Sequence, residues 1–288
     1  AVIDLIEAET ADAAANAAGQ VEGRLQKVIT PIYDHLTDLC SHFHAVLDYP
    51  DEDIADFGLQ NYAQSLRQDA KGLYALLSTY GQGRILRQGV QTAIVGRPNV
   101  GKSSLLNALA GFDRAIVTAI PGTTRDTVEE RVRVGGVLLR LIDTAGLRQT
   151  GDEVEALGVA RTEAAAREAE LALCVLDGST PRTPEDERAL ALARSAPRCI
   201  IVCNKSDLPP AQEPPAGAVR LSARTGEGID ALEAAIAALV EDEAPAVWDG
   251  AVLTNARQAE AVGRAMEALA RAKEAMEAGF TPDAVLTD

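Results

Sequence analysis

Gly96-Arg97-Pro98-Asn99-Val100-Gly101-Lys102-Ser103-Ser104 stands between the apolar run Ala93-Ile94-Val95 and a helical pattern, Leu105-Leu106-Asn107-Ala108-Leu109. Strand, glycine-bounded loop and helix follow in that order, with the G-x-x-x-x-G-K-[ST] spacing of a phosphate-binding loop. The two glycines let the backbone curl so that successive N–H groups point inward, and the helix that follows adds its positive N-terminal end. Asn99, Val100, Gly101, Lys102, Ser103 and Ser104 are therefore candidate phosphate contacts. Lys102 can reach the β- and γ-phosphates of a nucleotide, and Ser103 can ligate magnesium.

Four further stretches follow in order, each at the end of an apolar run. In Gly122-Thr123-Thr124-Arg125-Asp126, the Thr124 hydroxyl can reach magnesium and the γ-phosphate. In Asp143-Thr144-Ala145-Gly146, Asp143 can hold magnesium through water and the Gly146 N–H can sense the γ-phosphate. In Asn204-Lys205-Ser206-Asp207, the Asp207 carboxylate can accept from the N1–H and 2-amino groups of guanine. Each such charge-assisted bond contributes about 1.5–3 kcal/mol, and adenine would present an acceptor to the same carboxylate. The loop Ser222-Ala223-Arg224 can offer a backbone N–H to guanine O6. Singly these stretches mean little; in this order they imply a GTP site.

Outward from the motifs, the patterning changes twice. Strands are expected at Val90–Val95, Thr127–Val134, Val137–Ile142, Leu171–Leu176, Cys199–Cys203 and Val219–Leu221, with Gly135-Gly136 closing a hairpin. Helices are expected at 103–110, 152–169, Glu185–Arg194 and Ile229–Val240. Alternation of this kind implies a mostly parallel sheet covered on both faces. Pro209, Pro210, Pro214 and Pro215 mark a surface loop. Residues 1–88 and 254–278 instead repeat apolar residues at three- and four-residue steps, as helices do. Pro31 predicts a kink or break near Ile29-Thr30, Asp51 or Asp53 a cap, and Gly81 and Gly83 an end to the helical pattern, with Arg84–Gly89 a short connector. Thr281-Pro282-Asp283 reads as the cap of a further helix that the sequence cuts off, as in a fragment. The expectation is a Ras-like α/β domain over 89–245, inserted in a helical bundle domain made of 1–88 and 246–288.

Charge and composition exclude several classes. The net charge of −16 is spread along the chain and argues against a surface that grips nucleic acid through its global field. No apolar run approaches the roughly 20 residues that span a bilayer. Asp4, Glu7 and Glu9 occupy the place where a secretion signal would be basic, so a cytoplasmic protein is expected. Cys174, Cys199 and Cys203 lie in apolar runs and read as reduced core thiols. Of Cys40, His42 and His44, only the first and last share a helical face, too few for zinc.

Gly96–Ser104, Ile120–Asp126, Asp143–Arg148, Asp152-Glu153-Val154-Glu155 and Leu221–Gly228 together resemble the MnmE (TrmE) family of bacterial tRNA wobble-uridine modification GTPases. Asp48–Ile54 and Arg84–Gly89 in the helical flanks resemble it too, and favour it over the related Era and Der GTPases of ribosome assembly. Those would need an RNA-binding domain or a second GTPase unit, and neither is visible. Relative to the family, an N-terminal domain that binds a folate derivative and the extreme C-terminus are missing. The resemblance implies a GTPase that uses GTP/GDP and Mg2+. Its implied partners are a second copy of itself, through the GTPase domains and the missing N-terminal domain, a flavin-dependent partner subunit, and tRNA. It also implies that the loop Thr118-Ala119-Ile120-Pro121-Gly122-Thr123 closes over the nucleotide and encloses K+, held by Asn99, Thr118, Ile120 and Thr123. On its own, Asn99 would read as a turn stabiliser. Read from spacing alone, Glu155 is a solvated carboxylate; the resemblance implies instead that it acts on the attacking water, since Leu147 cannot. No motif places an arginine finger. Lys102, Thr124 and Glu155 are the expected catalytic set, and a nucleotide-dependent scaffold without turnover remains the alternative of a different class.

Overall fold

The structure is a computed structural model that describes residues 2–48, 59–112, 130–142, 164–241 and 251–278. The chain divides into two compact units. One comprises residues 1–8, 12–87 and 244–288, the other residues 9–11 and 88–243.

The second unit is built on β1 (Val90–Val95), α6 (Lys102–Phe112), β2 (Glu130–Val134), β3 (Val137–Leu141), β4 (Leu171–Asp177), α7 (Pro184–Ala193), β5 (Arg198–Asn204), β6 (Val219–Arg220) and α8 (Ile229–Glu241). Its six strands lie in the order β2-β3-β1-β4-β5-β6. Among the described residues only β2 runs antiparallel, joined to β3 by the predicted hairpin with Val134 opposite Val137. The continuous apolar run Leu171–Asp177 is buried at every position, as a central parallel strand must be. On one face Ala93, Val95, Cys174 and Leu176 meet Ala189, Leu190 and Ala193 of α7. The small side chains let helix and sheet approach closely. Burial pushes the Cys174 thiol up to about 12, so it behaves as a small apolar side chain. Cys203 is likewise buried, while Cys199 is half-buried.

Register decides where chemistry can gather. Val95 lies opposite Cys174, and Asp177 opposite Asn204, so β1, β4 and β5 end near one another at their carboxyl ends. β1 sits between β3 and β4, and ligands of open α/β sheets bind where the strand order reverses in this way.

The first unit holds α1 (Val2–Ile6), α2 (Ala11–Val21), α3 (Arg24–Asp48), α4 (Leu59–Ser78), α5 (Tyr80–Gln88) and α9 (Ala256–Glu277). Leu39, Phe43, Leu66, Leu73, Leu76, Leu253, Val262, Leu269 and Met276 form its core. His35 joins α3 to α4, its ring nitrogens 2.5 Å from Asp69 Oδ2 and 2.6 Å from Ser65 Oγ. Among the described residues no helix is long and apolar enough to cross a membrane, and no group of side chains is arranged to hold a metal. His42 instead packs its ring 5.7 Å from that of Tyr62.

Two expectations need correction here. The helix does not break at Pro31: α3 runs on through it, with Ile29, Ile32 and Leu36 packed on the core on both sides of the lost hydrogen bond. α3 starts at Arg24, after the turn at Gly23. Residues 80–88 form a helix rather than a glycine-broken connector. Gly83 is there for contact. A Cβ on it would lie 2.1 Å from the Leu253 carbonyl oxygen and 2.6 Å from Val252 Cγ1. The capping at 51–53, the 152–163 part of the predicted helix, and Thr281–Asp288 lie outside the described residues.

Gly83→Ala is expected to destabilise the chain by about 1–3 kcal/mol through overpacking, despite alanine's better helix propensity. Gly263→Ala in α9, where a Cβ would meet nothing, is the control and should stabilise slightly. Urea unfolding of both variants checks the pair, and equal effects would contradict the packing account.

Candidate functional site

β1 delivers the chain into the loop 96–101, and α6 begins at Lys102. The loop closes on itself through the lysine. Lys102 Nζ donates to the carbonyl oxygens of Gly96 at 2.7 Å and Arg97 at 2.8 Å. Burial pulls the Lys102 ammonium below its usual range, and among the described residues its partners are neutral carbonyls rather than carboxylates. A partly desolvated cation without a counter-charge favours an anion beside it. Gly101 has φ +98°, and a Cβ there would lie 2.2 Å from Asn204 Nδ2. Only glycine fits that approach, and the loop as built suits a phosphate group.

Asn204 is the reason for the approach. At the end of β5, its buried amide donates to the Val100 carbonyl oxygen at 2.8 Å and accepts from the Ala223 N–H at 2.9 Å. The following residue, Lys205, takes the left-handed conformation at φ +67°, which costs a non-glycine residue on the order of 1–3 kcal/mol. Its ammonium makes good use of that geometry. Lys205 Nζ donates to the Asn99 carbonyl oxygen at 3.0 Å and pairs with Asp177 Oδ2 at 2.6 Å. Burial would push the Asp177 carboxyl up, but the Lys205 ammonium and the Ser179 hydroxyl and N–H outweigh it and hold it below the usual carboxylate range.

The 204–207 turn is fastened to the 222–224 loop in the same manner. Ser222, fully buried, donates through Oγ to Asp207 Oδ1 at 2.7 Å, and the Ser206 N–H donates to the Leu221 carbonyl at 3.1 Å. Arg224 Nη1 lies 4.0 Å from Asp207 Oδ2, but its side chain is 84% exposed, so that pair contributes little. The structure thus gathers Asn99, Val100, Gly101 and Lys102 with Asn204, Lys205, Ser206, Asp207, Ser222 and Ala223. Ser103 and Ser104 lie exposed in the first turn of α6. Thr118, Ala119, Ile120, Pro121, Gly122, Thr123, Thr124, Asp143, Thr144, Ala145, Gly146 and Glu155 lie outside the described residues. A cavity of about 270 Å³ adjoins the turn, walled by Asp177, Arg182, Lys205, Pro210 and Pro215. It touches neither the loop 96–103 nor Asp207, and so is not the cleft those residues frame.

Sequence reading missed Asp177, which anchors Lys205. An acidic residue closing the wholly apolar run Leu171–Leu176 was the available signal. It also left Arg97 without a role. The Arg97 side chain turns away from the loop's centre, its Nε 3.0 Å from Asp186 Oδ1 in α7.

A sequence model of the family described as the MnmE helical domain matches residues 1–288. The chain belongs to the MnmE helical domain family. The match runs through the α/β unit as well as the helical segments that flank it in sequence. Among curated relatives, a tRNA modification GTPase MnmE of Heliobacterium modesticaldum is 41% identical over 304 residues, covering 100% of this chain and 65% of its own length. Its counterpart from Geobacillus kaustophilus is 43% identical over 297 residues, covering 100% and 64% respectively. The chain therefore spans about 65% of the length of the MnmE proteins it matches. Among solved structures, the G domain of the T. maritima FeoB iron transporter is similar at 24% identity and TM-score 0.35, over 51% of this chain and 96% of that one. Aquifex aeolicus Era bound to GDP and AlF4− is similar at 26% identity and TM-score 0.37, over 54% and 57%.

The lowered Asp177 carboxyl has a consequence for stability. A carboxylate held below its unfolded value of about 3.9 adds stability in full above that pH and loses it as the pH falls through the folded value. The stability difference between the wild type and Asp177→Asn should stay constant from about pH 5 to pH 8 and shrink below about pH 4. Urea unfolding across that range measures it, and a difference that persists unchanged to pH 3 would contradict the Lys205–Asp177 assignment.

Proposed function

We propose that this chain binds and hydrolyses GTP as part of a tRNA modification GTPase of the MnmE type. The observation that carries the reading is the loop 96–101, closed around the Lys102 ammonium and tied through Asn204 and Lys205 to the turn that holds Asp207. Whole-chain similarity to curated MnmE proteins supports the same reading.

In this reading Asp207 accepts from the guanine N1–H and 2-amino group, oriented by Ser222. Asn99, Val100, Gly101, Lys102, Ser103 and Ser104 hold the phosphates. Ser103 and Thr124, with Asp143 through water, would hold magnesium, which when bound offsets charge on the β- and γ-phosphates. Asn99, Thr118, Ile120 and Thr123 would hold potassium beside them. Gly146 senses the γ-phosphate, and Glu155 orients the attacking water through a second water. The water oxygen bonds to the γ-phosphorus as the bond to the β–γ bridging oxygen breaks, giving GDP and phosphate. Lys102 is placed to stabilise the charge that develops on the phosphates.

The proposed arrangement along the chain is a GTPase domain over 89–245 inserted in a helical domain of residues 1–88 and 246–288. The proposed setting is the cytoplasm, with a second copy of the chain, a flavin-dependent subunit and tRNA as partners. A folate derivative would bind only in the full-length protein.

The experiment follows GTP turnover by the purified chain with magnesium, in potassium and in sodium at equal ionic strength. Turnover should be faster in potassium, and Asn99→Ala should remove that advantage. Glu155→Ala should bind GTP almost normally while turnover falls by about tenfold or more, as expected of a group that acts in the transition state. Tight GTP binding with no turnover in either salt would mark a nucleotide-dependent scaffold instead.

A further inference from the structure

Arg97 lies inside the loop that is proposed to hold phosphate, yet its guanidinium points elsewhere. Its Nε donates to both oxygens of Asp186, at 3.0 and 3.1 Å, and its Nη2 donates to Thr180 Oγ1 at 2.6 Å. Asp186 is 2% exposed and completes the capping box of α7, accepting from the Thr183 N–H and hydroxyl at 2.9 Å each. A buried carboxylate here meets a guanidinium, two local donors and the positive end of a helix, so its charge is fully compensated.

The other end of Arg97 faces the opposite way. Its backbone carbonyl accepts from Lys102 Nζ, beside that of Gly96. Pro98 follows, and a residue before proline is confined to extended conformations, so the direction of the Arg97 carbonyl has little freedom. With the side chain anchored on α7 and the backbone restricted by Pro98, that carbonyl holds the ammonium in one place. We propose that Arg97 and Asp186 are a positioning pair for Lys102, through which the first turn of α7 sets the chain's grip on the nucleotide phosphates. The proposal rests on the reading of the loop as a GTP site. Neither residue touches the phosphates; the pair acts through the Arg97 carbonyl. Without the anchor, the 96–98 segment can pivot and Lys102 loses an acceptor.

The test uses wild type, Arg97→Gln, Arg97→Lys, Asp186→Asn and the Arg97→Gln/Asp186→Asn double variant. For each, the melting temperature without nucleotide and the dissociation constants for GDP and ADP are measured. The single variants should weaken GDP binding by about tenfold, the scale of one hydrogen bond to a charged group. The preference for GDP over ADP should stay unchanged, because the base is read by Asp207. The double variant should be no worse than the weaker single one, as expected for two residues that act as a unit. Arg97→Lys should recover part of the loss, and it carries the test if Asp186→Asn does not fold. A lower melting temperature with wild-type GDP affinity would make the pair a helix cap and overturn the proposal, as would loss of base preference alongside affinity. A wild-type chain that binds no GDP overturns the GTP reading and the pair's role with it. Unchanged variants beside a binding wild type overturn the pair alone.

Discussion

The amide of Asn204 holds together three segments that are distant in sequence. It donates to Val100 in the loop after β1 and accepts from Ala223 in the loop after β6, while its own backbone ends β5. A buried primary amide that lost either partner would leave a backbone group unsatisfied, at about 1–3 kcal/mol each. Both partners are present only if β1, β5 and β6 end at the right height, so the amide checks the register of the sheet. Gly101 follows from the same contact, since any side chain there would occupy the position of the Asn204 nitrogen.

Around that amide the charges are arranged so that few are left without a partner. Lys205 bridges Asp177 and the Asn99 carbonyl, and Arg97 is held by Asp186. Lys102 differs, with carbonyl partners alone among the described residues. Among the described residues, Lys102 is thus the cation whose electrostatics favour an incoming anion, beside Lys205 and Arg97, which are already paired with carboxylates. That division is consistent with a rigid frame and one responsive group.

Much of the α/β architecture was legible in the sequence because its signals are local. Apolar runs such as Leu171–Leu176 and Cys199–Cys203 are short and closed by polar residues, and each became a strand within a residue or so of its expected ends. The phosphate-loop spacing carried its own structural context, a strand before and a helix after. What stayed hidden was tertiary. Gly83 looked like a helix breaker and is a point of backbone contact with Leu253; Pro31 predicted a kink or a break, and the helix continues through it. Asp177, Arg97 and Asp186 show their roles only once three-dimensional neighbours are known, because nothing in their local pattern names the partner. Asp207 and Ser222 were each expected in the site, but the hydrogen bond between them joins residues fifteen positions apart in sequence.

The central claim is that one frame joins a phosphate loop to a loop that reads guanine. Calorimetric titration of the wild type and Asp207→Asn with GDP and with xanthosine diphosphate tests it most directly. Xanthine carries an oxygen where guanine carries its 2-amino group, so an amide at position 207 can donate where the carboxylate accepts. The account predicts that the wild type binds GDP and discriminates against xanthosine diphosphate, and that the substitution reverses the preference while the phosphate loop still binds. An unchanged preference for GDP in Asp207→Asn would contradict it.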